Sequence, residues 1–152
     1  MLYDCTVIKV NQIYKAIIAT PLHLPLFSTK VRAGFPSPAD DHVEQRLDVS
    51  EYLIDQVDAT FFVTIQGQSM IDVGLMPGDK VVVDKSKSAV IGDIVLAVVD
   101  SEFTIKTLGR NKDGSIQLLP ANSTGAFKPI EITESTQFEV WGVVTGSFRR
   151  FK

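Results

Sequence analysis

A mostly β protein is predicted, built as a single curved, largely antiparallel β domain with an extended N-terminal arm. Three observations lead there. From Ala59 onward, short apolar runs recur between Gly, Pro, Asn and Asp turn signals. Two of those runs, Val81–Val83 and Ile94–Val99, are unbroken, as in strands covered on both faces. In the first 30 residues Pro21 and Pro25 interrupt any helix, and each lacks a backbone donor.

The chain has 152 residues, enough for one domain burying roughly two-thirds of its unfolded surface. Hydrophobic residues make up 45% and charged residues 22%, the balance of an ordinary globular chain, and nine phenylalanines suit a β-rich core. A net charge of −3 argues against a broad electrostatic footprint for nucleic acid. The segment Ser147–Lys152 is locally basic and reads as a solvated tail. Cys5 has no partner for a disulfide, no apolar run approaches the ~20 residues of a membrane span, and Asp4, Lys9 and Lys15 break any leader-like pattern. A cytoplasmic location without membrane contact is expected.

Taken in order, residues 1–30 carry no strong period and read as an arm lying on a body, too short for a helix-turn-helix. In Val31–Pro38, Pro36 and Pro38 favour extended backbone while Ala33 and Gly34 leave it sterically open. This is a linker, or the kind of accessible segment a protease takes as substrate. Asp48 and Glu51 are spaced as a capping box, Leu47 and Tyr52 as a hydrophobic staple, and Val49, Tyr52 and Leu53 as a stripe. They predict one short helix over 49–56. Strands are predicted at 60–66, 79–84, 93–100, 102–108, 115–119, 129–133 and 136–148. Met76-Pro77-Gly78-Asp79 suits a type II turn, Asp100–Glu102 a hairpin link, and Lys112–Gly114 a tight turn.

The chemistry-bearing candidates are few. Ser69, in Gly67-Gln68-Ser69-Met70, sits at a strand exit and is either an ordinary turn serine or a nucleophile. A nucleophilic serine needs a base. His23 and His42 lie outside the strands, Cys5 lies near the end, and no His/Cys cluster has metal-ligand spacing. Phosphate-binding glycine motifs are absent, and no cofactor is expected. Lys106 remains. It stands alone in charge within Phe103–Leu108, on one strand face with Thr104 and Leu108. The plain reading is a snorkelling surface lysine. The alternative is a base packed over the Ser69 turn. At its ordinary pKa of ~10.4 a lysine is neutral in about four molecules per ten thousand at pH 7. Desolvation to ~7–8 would raise that a hundred- to a thousandfold, at a cost of roughly 3–5 kcal/mol. Backbone N–H groups of the Ser69 turn, at Gln68 and Ser69, are the natural oxyanion donors.

These residues carry a resemblance. Pro25–Ser28, Ala33–Pro38, Val43–Arg46, Gly67–Asp72, Gly92–Val95, Glu102–Lys106 and Trp141–Val144 are similar, in order and spacing, to the LexA/UmuD family of self-cleaving proteins of the bacterial SOS response. The likeness runs from about residue 24 to 147. It implies the β fold of that family's C-terminal domain, a Ser-Lys dyad of Ser69 as nucleophile and Lys106 as base, and cleavage between Ala33 and Gly34. It also implies a homodimer, stimulation by RecA filaments on single-stranded DNA, and a shortened product, residues 34–152, that joins a UmuC-type error-prone translesion polymerase without sequence-specific DNA contacts. The arm, 1–33, would be removed. Enteric members have cysteine where this chain has Ala33, and residues 1–20 extend beyond the family pattern. A LexA-like repressor and a non-catalytic β interaction module are the competing readings.

Overall fold

The computed structural model describes residues 10–15, 21–27, 33–34 and 43–152. Expectations placed on Cys5, His42 and the prolines at 36 and 38 lie outside the described residues. The chain divides into two compact units, Ile17–Asp55 and Met1–Ala16 with Gln56–Lys152. Its strands are β1 (Val10–Lys15), β2 (His23–Phe27), β3 (Val43–Asp48), β4 (Thr60–Ile65), β5 (Lys80–Asp84), β6 (Ile94–Val99), β7 (Glu102–Arg110), β8 (Ile116–Leu119), β9 (Ile130–Glu131) and β10 (Phe138–Phe148). The predicted mostly β, antiparallel architecture is what the structure shows.

In the smaller unit β2 and β3 pair antiparallel, Leu24 opposite Leu47 and Pro25 opposite Arg46. A two-stranded ladder has only edges, which is where a strand proline can sit. Helix α1 (Val49–Leu53) follows directly. The predicted N-cap holds: the Asp48 carboxylate accepts the N–H groups of Ser50 at 2.8 Å and Glu51 at 3.1 Å. It also accepts the Leu22 N–H, and these donors, Leu22 first, hold the Asp48 carboxyl below the usual range. The helix is shorter than the 49–56 expected. Ile54 leaves helical geometry at φ −124°, ψ 113° and is buried, while Val49 and Tyr52 stay exposed, so the anticipated stripe and staple do not form.

The larger unit is one curled sheet of eight strands in the order β1-β4-β5-β10-β6-β7-β8-β9, every neighbour antiparallel. The sequence pattern places residues 10–15 in an extended arm and predicts no strand there; in the structure β1 pairs along β4, Tyr14 opposite Phe62. The valine run of β5 is wholly buried, Val81, Val82 and Val83 each at 0% exposure, as an unbroken run requires. Successive residues of β6 serve opposite faces. Leu96 joins Val63, Ile65, Phe103 and Ile105 in one core, whereas Val95 and Ala97 join Leu108 and Leu118 in another.

The turns follow their residues. Gly78 takes φ +91° and the Asp79 N–H donates to Met76 C=O at 3.0 Å, closing the proline-glycine turn. Asp100 and Ser101 both have positive φ, 47° and 69°, the geometry of a two-residue hairpin between β6 and β7. The central strand β10 shifts register between Val140 and Gly142 and again between Val144 and Gly146. Such bulges increase local twist and help a sheet curl. Gly142 allows the close approach there: a Cβ on it would lie 2.5 Å from Val83 Cγ1 and 3.2 Å from the Asp84 carbonyl oxygen.

One ion pair ties the end of the sheet to the turn region. Asp79, 2% exposed, accepts from Arg149 Nε at 2.5 Å and Nη2 at 2.7 Å, and Arg149 also reaches the Gly74 carbonyl at 3.1 Å. The Met76 N–H adds a further bond to Asp79 at 2.8 Å. The guanidinium holds the Asp79 carboxyl below its ordinary value of 3.8.

Gly142→Ala should destabilise the protein by about 1–3 kcal/mol in urea unfolding, because backbone and Val83 must move to admit the methyl group. Asp79 carries a lowered folded-state pKa, so its contribution is present above pH 3.8 and is lost as pH falls through the folded value. Asp79→Asn should therefore melt a few degrees below wild type at pH 7, and that deficit should shrink on acidification below the ordinary carboxylate range.

Candidate active site

Of the two residues that make the site, Ser69 lies on the loop after β4 and Lys106 in β7, strands far apart in the sheet order. Between β4 and β7 lie four strand spacings, which would be ~19 Å in a flat sheet. The curl, and the loop that leaves β4, remove that separation.

Strand β4 ends firmly. The Ile65 N–H donates to Asp79 C=O at 2.8 Å and its carbonyl accepts from Gly78 N–H at 2.9 Å. The chain then turns through Gly67, at φ +83°, a conformation that strains any residue with a side chain, and enters a 3-10 turn at Ile71–Val73. Met70 at 3% exposure and Leu75 at 5% plug this loop into the core beside Ile65 and Ile105. Ser69 is thus held half-buried between an exposed Gln68 and a buried Met70. A second segment fastens the loop from outside. The Ala121 N–H donates to Ser69 C=O at 2.7 Å, the Asp72 N–H to Ala121 C=O at 2.8 Å, and Asn122 Nδ2 to Gln68 C=O at 2.7 Å.

Lys106 is not a snorkelling surface residue. It is 5% exposed, and Thr104 beside it on the same face is 8% exposed. Its Nζ lies 2.9 Å from Ser69 Oγ, 3.0 Å from Thr104 Oγ1 and 3.0 Å from the Ile105 carbonyl oxygen. The Ile105 oxygen can only accept. A neutral amine has two N–H groups and one lone pair, so Ile105 and Thr104 can take the hydrogens while the lone pair faces the Ser69 hydroxyl. An ammonium has three donors for the same three neighbours, and the arrangement suits both forms. The surrounding cleft, lined by Ile65, Gln66, Ser69, Met70, Thr104, Ile105 and Lys106, is small, about 20 Å³, and opens to solvent.

Among the described residues, none accepts a hydrogen bond from the backbone N–H groups of Gln68 or Ser69. Ala33 and Gly34 form an exposed bend in the smaller unit. His23 lies 3.5 Å from Glu51 in that unit. Among the described residues no three His, Cys, Asp or Glu side chains gather as a metal site would need, and no helix is long and apolar enough to cross a membrane.

Residues 25–145 match the family model described as Peptidase S24-like. The chain belongs to that family. The S24-like match spans Ser69 and Lys106 and also includes Ala33 and Gly34. Among curated relatives, the protein SamA of Salmonella typhimurium is 46% identical over 121 residues, covering 80% of this chain and 81% of SamA. MucA of Escherichia coli is 36% identical over 136 residues, covering 89% and 91% of the two chains. The LexA repressor of Alcanivorax borkumensis is 41% identical over 120 residues, 79% of this chain but 56% of the repressor.

The sequence offers Ser69 and Lys106 as a candidate pair but singles out nothing at 120–122. Its only local signal is Asn122 two residues before Thr124, an Asx-turn pattern, formed here with Thr124 N–H and Oγ1 at 3.0 and 2.6 Å from Asn122 Oδ1. That pattern marks a turn without saying what the turn touches.

Because a buried amine is costly to desolvate, Lys106→Met should keep the fold and melt no lower than wild type. A differential scanning experiment on the two proteins checks this.

Proposed function

We propose that the protein is a self-cleaving serine peptidase in which Ser69 is the nucleophile, Lys106 the general base, and the Ala33–Gly34 bond the substrate. The observation that carries this reading is a lysine Nζ, in a residue only 5% exposed, 2.9 Å from a serine Oγ. Burial disfavours the ammonium, and a neutral amine can accept the serine proton.

In the reaction Ser69 Oγ attacks the Ala33 carbonyl carbon as its proton passes to Lys106 Nζ. The oxyanion that develops on the Ala33 oxygen is met by backbone N–H groups of the Gln68–Ser69 turn. Collapse breaks the bond to the Gly34 nitrogen, which takes the proton from Lys106. Water, deprotonated by Lys106, then releases Ala33 from the ester and regenerates Ser69. The substrate is part of the same polypeptide, so an encounter within one chain carries a high effective concentration. The products are the arm, 1–33, and a body, 34–152.

The relatives SamA and MucA, together with the family resemblance, support a role in SOS mutagenesis. In that role the protein is a cytoplasmic homodimer and cleaves itself when stimulated by RecA on single-stranded DNA. Its body then joins a UmuC-type translesion polymerase. The LexA similarity keeps a repressor as the second reading, separable by a gel shift on operator DNA.

Incubating the purified full chain with RecA, single-stranded DNA and nucleotide, or at alkaline pH alone, should split it between residues 33 and 34. Mass spectrometry of the fragments reads the position. The rate should climb with pH as Lys106 loses its proton, and Ser69→Ala and Lys106→Ala should slow it at least ~10³-fold. Equal persistence of wild type and Ser69→Ala under all these conditions would sink the peptidase reading in favour of a non-catalytic module.

A further inference from the structure

The geometry points to Asn122 as a positioning residue that aims the oxyanion-binding N–H of Ser69; this rests on the dyad reading above. A trans peptide is planar, with its N–H directed opposite to its C=O. The carbonyl of Gln68 and the N–H of Ser69 belong to one such plane. Asn122 Nδ2 donates to that carbonyl at 2.7 Å, and Asn122 is not among the residues lining the dyad cleft. Gripping the carbonyl from outside the cleft turns the Ser69 N–H the other way.

The orientation of the Asn122 amide is itself fixed. Its Oδ1 accepts the Thr124 N–H at 3.0 Å and the Thr124 hydroxyl at 2.6 Å, so the NH2 end is the one that faces Gln68. The next peptide is held in the same fashion, since the Ala121 N–H grips the Ser69 carbonyl at 2.7 Å. Both peptide planes that flank the Ser69 Cα are therefore clamped by their oxygens from residues 121–122. The segment sets the direction of the turn's amides without touching Ser69 Oγ or Lys106.

The discriminating variant is Asn122→Ser in the full chain. Serine keeps a side-chain acceptor for the Thr124 N–H but is too short to reach the Gln68 carbonyl. Self-cleavage is followed across pH 7–11 with thermal melting in parallel, and Asn122→Ala serves as a second variant. Deleting an oxyanion donor outright costs ~10²–10³ in rate, so loosening one should lower the high-pH plateau by about 10- to 100-fold. The midpoint of the pH profile should stay where wild type has it, because the proton on Lys106 is not involved. A wild-type plateau in both variants overturns the assignment. So does a shifted midpoint with an intact plateau, or a rate loss that tracks a collapse in melting temperature. Ser69→Ala runs alongside: if it cuts as fast as wild type, the dyad reading fails and takes this inference with it. If it is inert while Asn122→Ser is unimpaired, only the role of Asn122 is lost.

Discussion

Burying one primary amine constrains much of the larger unit. Lys106 is 5% exposed in a strand whose neighbours Phe103, Ile105 and Leu108 are core residues. A polar group in such a place costs free energy unless its hydrogen-bonding capacity is met. The fold meets it locally, with Thr104 and the Ile105 carbonyl from the same strand, and distantly, with Ser69. Ser69 lies on the loop after β4, four strand spacings from β7 in the sheet order. The bulges of β10 and the close approach allowed by Gly142 shape the sheet, and Met70 plugs the Ser69 loop into its core.

The loop carrying Ser69 is held on several sides, by backbone bonds, an ion pair, apolar packing and a side-chain amide. Its start is fixed by backbone bonds between Ile65 and the Gly78–Asp79 turn. Its end is tied through Asp79 and Gly74 to Arg149. Apolar packing of Met70 and Leu75 fastens its floor, and the Ala121–Asn122 segment its outer side. Loops are ordinarily the mobile parts of a fold. Holding one at this density makes sense where a side chain must keep a position to within a fraction of an ångström.

What the sequence made legible depended on whether the cause was local. Pro77-Gly78 and Lys112–Gly114 dictate their own turns, Asp48 its own cap, and the valines of β5 their own burial; all could be read directly. Helix α1 was overestimated because Ile54 is drawn out of it to be buried, a tertiary effect that outweighs the i, i+3, i+4 pattern. Strand β1 was missed because its mixed residues acquire a strand only by pairing with β4. The pairing of Ser69 with Lys106 was visible through residue chemistry and family resemblance. No propensity foretells that the loop after β4 will reach a strand four places away in the sheet. The role of residues 121 and 122 was hidden for the same reason, since it is exercised entirely through backbone carbonyls remote in sequence.

Under the proposed function, this division of labour bears on where control resides. The dyad atoms already stand at hydrogen-bonding distance, and the turn amides are already clamped. Little rearrangement within the larger unit is then required for chemistry, and electrostatic preorganisation of this kind costs nothing further at the moment of reaction. A peptidase whose catalytic groups are always assembled must be restrained elsewhere, or it would consume itself on synthesis. Two quantities remain to be regulated: the fraction of Lys106 that is neutral, and the presentation of the Ala33–Gly34 bond. The first responds to pH and is uniform across molecules. The second is conformational, and an equilibrium of a few kcal/mol between presented and withheld arrangements can be shifted by any partner that binds them unequally. An activator that acts on the substrate segment, rather than on Ser69 or Lys106, is the regulation this architecture favours.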